Sequence, residues 1–102
     1  MVNPVFDSPG GFPATVYVAI CLPADAMPGA LARIQRALAD AARKTSEAGR
    51  PVHYVNGMYM PAQHRLLCVF TAACTEAVDA TVERVRLPYE RIKAVTEGPA
   101  PA

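Results

Sequence analysis

Three residues carry soft metal ligands close to one turn: Cys21, Met60 and His64. A thiolate, a thioether and an imidazole together suit nickel, copper(I) or zinc. Cys21 stands near the end of an apolar run, Met60 precedes a short polar turn, Pro61-Ala62-Gln63-His64, and His64 closes it. Reach is the difficulty: with one strand between them, Cys21 and Met60 start about 10 Å apart. A copy of the chain supplying one ligand would ease it. Each residue also has an ordinary role, as a small buried thiol, a gap-filling thioether and an exposed turn imidazole. His53 and His64 stand at opposite ends of a hairpin, about 20 Å apart, and cannot share an ion within one subunit.

Cys74 lies at or just before the start of a helix, where the dipole favours a thiolate and makes it a candidate reactive thiol. No histidine is near in sequence to serve as base, and no second cysteine follows two residues on. Tyr17, Tyr54, Asn56 and Met58 form a candidate ligand-binding wall, because aromatic bodies with polar tips suit a small, mostly apolar organic molecule. The same residue types are ordinary at a dimer interface. There is no phosphate loop, no Ser/His/Asp arrangement and no paired-carboxylate motif, so no reaction type is specified. Glu90 and Arg91 stand at the start of the last strand, close enough in sequence to pair, but rim charges usually just solvate.

The chain that positions these groups has 102 residues, enough for one domain with a modest core. It is 52% hydrophobic and only 19% charged, which predicts that a second copy covers some of its surface. A net charge of +1 without a dense basic tract argues against an electrostatic grip on nucleic acid. Arg33, Arg36, Arg43 and Lys44 read as a solvated helix face. Three cysteines without CxxC spacing predict reduced thiols and a cytoplasmic setting. The first residues lack the cationic start and apolar run of a signal peptide, and no membrane span is present.

Proline and glycine divide the chain. Residues 1–13 and 97–102 read as flexible tails around a domain of residues 14–96. Residues 14–22, ATVYVAICL, form a β-branched strand that stops at Pro23. Asp25 is the expected cap of a helix reaching about Ala48, with Pro28 in its first turn and Gly49-Arg50-Pro51 ending it. Met27, Leu31, Ile34, Leu38 and Ala41 or Ala42 form its apolar stripe. Strands at residues 52–60 and 65–72 flank the turn, a helix over 75–86 buries Val78, Val82 and Val85, and residues 89–96 are a last strand. The order βαββαβ predicts an α+β, ferredoxin-like sandwich: a four-stranded antiparallel sheet with both helices on one face, assembled as a dimeric α/β barrel.

Opposite residues of an antiparallel pair share a face. Pairing Met60 with Arg65 puts Tyr59 against Leu66, Gly57 against Cys68 and Val55 against Phe70. Val55, Leu66, Cys68 and Phe70 are then expected under the helices, and Tyr54, Asn56, Met58, Met60, Leu67 and Val69 on the open face. In the first strand, Val16, Val18 and Ile20 are expected in the core, with Tyr17, Ala19 and Cys21 on the open face.

The segments VHYVNGMYMP, LLCVF, CTEAV and LPYERIKAV, in that order over residues 52–95, resemble a small bacterial family of unknown function. The resemblance implies a ferredoxin-like dimer, and a nickel site in at least one relative. This chain departs from the family in the first strand, where Ala19, Ile20 and Cys21 stand in place of a frequent glutamate. It departs again at Asn56, where some relatives carry histidine, and at Cys74, usually a serine. The resulting expectation is a non-catalytic homodimer that binds a transition metal or a small ligand at its open sheet face. The alternatives are a small cofactor-independent enzyme of the dimeric α/β-barrel type, of the monooxygenase or isomerase class, and a structural accessory subunit.

Overall fold

The computed structural model describes residues 15–95, so the expected tails and the outermost residues of the expected domain lie outside the described residues. The element order is β1 (Thr15–Cys21), α1 (Pro28–Glu47), β2 (Val52–Met60), β3 (Arg65–Ala72), α2 (Thr75–Arg84) and β4 (Tyr89–Val95). The strands form one antiparallel sheet in the order β2-β3-β1-β4, with β1 and β3 central. This is the α+β, ferredoxin-like arrangement.

Local chemistry sets the boundaries. Asp25 does not cap α1 as expected. Met27 occupies the cap position without a side-chain cap bond, and Asp25 Oδ1 accepts from the Met27 N–H at 3.0 Å, fixing the turn that leads in. Pro28 follows, where its missing N–H costs nothing. At the other end Gly49 takes φ 102°. The Gly49 N–H donates to the Ser46 carbonyl at 3.0 Å and the Arg50 N–H to the Thr45 carbonyl at 3.1 Å. This is a Schellman ending, and glycine makes it without strain because it has no Cβ. The Ser46 hydroxyl then donates to the Val52 carbonyl at 2.8 Å and accepts from its N–H at 3.0 Å, tying the helix end to β2. α2 is shorter than expected: Arg86 at φ 56° turns the chain out of the helix before Pro88.

The core lies between the sheet and both helices. Phe70 and Leu66 from β3 meet Leu38 from α1 and Val78 and Val82 from α2, all fully buried. Arg84 Nε donates to Thr45 Oγ1 at 3.0 Å, linking the two helices. Met27, expected in the stripe, is exposed instead, because it precedes the first helical turn.

Two expectations about the faces are corrected. The first strand is inverted: Tyr17, Ala19 and Cys21 are buried under the helices, and Val16, Val18 and Ile20 are half-buried on the other face. The register requires this, since Tyr17 lies opposite Phe70, Ala19 opposite Cys68 and Cys21 opposite Leu66. In β2 the expected pairing holds from Met60 back to Asn56, and then a bulge takes up Val55. Tyr54, not Val55, therefore lies opposite Phe70, and Val55 is 49% exposed.

Candidate functional site

The two corrections sort the residues singled out in the sequence into two places. Cys21, Tyr17 and Tyr54 face the helices, while Asn56, Met58 and Met60 stand on the open side of the sheet. The expected ligand wall of Tyr17, Tyr54, Asn56 and Met58 is thus divided by the sheet. The expected metal set is divided too. Cys21 is wholly buried on the helix side, whereas Met60 lies on the open side and His64 is exposed in the turn, at φ 54°. Among the described residues no three of His, Cys, Asp and Glu come together as metal ligands. Cys74 precedes α2 at an extended φ of −155°, exposed and free, and makes no side-chain cap bond.

On the helix side the structure assembles a small polar nest. Cys21 and Cys68 are both free, wholly buried and in side-chain contact across adjacent strands. The Tyr54 hydroxyl donates to Gln35 Oε1 at 2.9 Å, and its ring meets Phe70 edge-on at a centroid distance of 5.3 Å. Gly57, opposite Cys68, leaves the room this needs, since a Cβ there would stand 2.6 Å from the Tyr54 hydroxyl. The electrostatics follow from burial. Contact with Cys21 and loss of water push the Cys68 thiol far above the ordinary range, while the hydrogen bond from Cys68 pulls Cys21 down. Burial, then the two neighbouring sulfurs, pushes the Tyr54 hydroxyl up, so it stays a neutral donor.

The open face is the better candidate for binding. The register places Val16, Val18 and Ile20 of β1, Leu67 and Val69 of β3, and Met58 and Met60 of β2 on it. None of the described elements covers it, and Met58 is 53% exposed. Its charges come from β3 and β4. Ile20 lies opposite Arg91 and Val18 opposite Lys93, so both cations stand over this side. A bulge beside Cys21 brings in Glu90, whose carboxylate accepts from Arg65 Nη2 at 2.9 Å. Arg65 Nη1 donates to the Gln63 carbonyl at 2.8 Å, which pins the guanidinium against the turn. Arg65 holds the Glu90 carboxyl below the usual range, helped by Arg91. Between these charges and the floor of Ile20, Met60 and Leu67 lies a hollow of about 580 Å³.

Sequence reading missed Arg65, Lys93 and Gln35, and treated Arg91 as solvent rim. The alternation in β4 was the available signal. Ile92 and Ala94 alternate with Arg91 and Lys93, which puts the cations on the face away from the helices. His53 also belongs to the open side, opposite Thr71, at the end remote from the hollow.

Comparisons with known protein families, with curated proteins and with solved structures give no match. No helix among the described residues is long and apolar enough to cross a membrane.

Proposed function

We propose that this chain is a cytoplasmic, non-catalytic binding protein, working as a homodimer whose open sheet faces meet and enclose a small organic ligand. One observation carries the reading: the central strands present branched and long apolar side chains to a face that no described element covers. Four strands of about seven residues span about 450 Å² in projection. Side-chain relief raises the accessible area toward the ~800 Å² per partner of a stable specific interface. A second copy is the favoured occupant because two-fold pairing makes one apolar patch complementary to itself. The ligand is taken as organic rather than metallic because Cys21 and Met60 stand on opposite faces of the sheet.

Sedimentation velocity tests the assembly. The expected result is twice the chain mass at micromolar concentration, falling to the monomer in Val18→Arg, which puts a charge at the centre of the face while circular dichroism stays unchanged. A wild-type monomer across the accessible concentration range would refute the reading.

A further inference from the structure

The open face carries more chemical information than its apolarity. Charges within the hollow are arranged unevenly. Arg65 and Glu90 neutralise each other, and Arg65 is further held by the backbone of the turn. Arg91 lines the same hollow with no ion-pair partner among the described residues, and Lys93 stands two residues further along the same side of β4. Below Arg91 the floor is apolar, made by Ile20, Leu67 and Met60, and it continues toward Met58 along β2. Among the described residues Glu90 is the one carboxylate lining the hollow, and it is already engaged.

We propose that this hollow binds an amphiphilic carboxylate: a small organic acid whose anionic head pairs with Arg91 and whose apolar body lies on Ile20, Leu67 and Met60. The inference deepens the ligand-binding reading of the same face and rests on it for the cover that a second copy would supply. Each part of the ligand follows from a part of the hollow. An exposed guanidinium without a carboxylate of its own supplies two parallel donors, the geometry that a planar carboxylate accepts. Among the described residues Gln63, in the turn, is the one uncharged polar side chain lining the hollow, and the floor itself is apolar, so the body it takes is hydrocarbon or aromatic. A volume of about 580 Å³ falls within the range of small-molecule sites and is too small for a peptide helix or a nucleic acid strand. A multiply charged phosphate ester fits poorly, because the second cation, Lys93, stands outside the residues lining the hollow. The bulge beside Cys21 is the device that makes the site, since it puts Glu90 and Arg91 on one side together. Glu90 then occupies Arg65 and leaves Arg91 free.

Three probes with alkyl chains of nearly equal length test this: decanoate, decanol and decyltrimethylammonium. Binding is measured by calorimetry below the micellar range, on wild type and on Arg91→Gln, with sedimentation velocity on the same samples. Arg91 is exposed, so the substitution leaves the fold intact. Decanoate is expected to bind at least ten-fold more tightly than decanol, the ammonium probe most weakly, and Arg91→Gln to remove the preference for the acid while sparing decanol. The preference is also expected to shrink as salt is raised, because the head group lies near solvent. Equal affinity for decanoate and decanol, or a decanoate affinity unchanged in Arg91→Gln, would overturn the inference. A dimer that binds none of the probes overturns this inference alone. A monomer that binds decanoate through Arg91 upholds it and overturns the dimer, and a monomer that binds nothing overturns both.

Discussion

Gly57→Ala tests the face assignment of β2 directly, because the outcome depends on where the Tyr54 ring lies. Gly57 does not take a left-handed φ, so alanine is compatible with its backbone and would gain a few tenths of a kcal/mol in an open strand. Here its Cβ would stand 2.6 Å from the Tyr54 hydroxyl and 3.3 Å from Gln35 Oε1. The phenol must move, breaking a half-buried hydrogen bond worth about 1 kcal/mol and adding an overpacking cost of about 1–3 kcal/mol. A net loss of about 1.5–3.5 kcal/mol is expected, lowering the midpoint of thermal unfolding by about 6–28 °C for a domain of this size. Tyr54→Phe alone should cost about 1 kcal/mol, from the bond to Gln35. In the double variant the clashing oxygen is gone, and the next contact is the end of the flexible Gln35 side chain. Gly57→Ala should then cost well under 1 kcal/mol, giving a coupling of at least 1 kcal/mol in a urea-unfolding cycle. If the two losses add instead, Tyr54 does not lie over Gly57 beneath α1, and the bulge at Val55 is misplaced.

Thiol titration with an aromatic disulfide in native buffer should modify Cys74 alone and quickly, with Cys21 and Cys68 reacting only after denaturation; native modification of all three cysteines would contradict their burial. Carboxyl NMR should find Glu90 below the ordinary glutamate range and Arg65→Gln should return it toward that range. Because its folded value is depressed, the contribution of Glu90 to stability is present above the unfolded value of about 4.3 and fades as pH falls through the folded one. An unmoved Glu90 in Arg65→Gln would remove the pair from the account. Nickel, zinc or copper(I) added to metal-stripped protein should give no rise in melting temperature that Cys21→Ser abolishes. A rise lost in both Cys21→Ser and His64→Ala would restore the metal set expected from the sequence.

Element order was open to sequence reading because its punctuation is strong. Pro23, Gly49, Pro51, Pro61 and Pro88 all stand between elements, and each strand and helix falls within a few residues of its expected place. Which way each strand faces was much less open. The outer side of β1 carries only Val16, Val18 and Ile20, while Thr15 and Tyr17 stand on the helix side, so alternation has no polar residue to mark the outside. Branched Val16, Val18 and Ile20 look more like core than Ala19 and Cys21 do. Val55 gave no warning of a bulge, having neither glycine nor proline beside it. Yet β4 held enough to settle the phase. YERIKAV puts Ile92 inside and Lys93 outside, and Ile92 lies opposite Ala19. Reasoning from the edge strand inward, rather than from the most hydrophobic strand outward, leads to the observed faces.

The reason the bulkier residues turn away from the helices is itself informative. On the helix side β1 and β3 carry Ala19, Cys21 and Cys68, and β2 has Gly57 beside them. The same core is filled by the larger Phe70, Leu66, Leu38, Val78 and Val82. Close packing accounts for small residues on one face. It does not account for valine, isoleucine and leucine on the other, where threonine would keep the same strand propensity and meet water more favourably. Thr71 shows that β3 does carry threonine on this face, at the end away from the hollow. The apolar residues instead run together across β1 and β3 and end beside Arg91. An apolar centre bounded by charges at one edge is the pattern of a face that excludes water when occupied, and it is the reason the open face, and not the buried thiol pair, is read as the site.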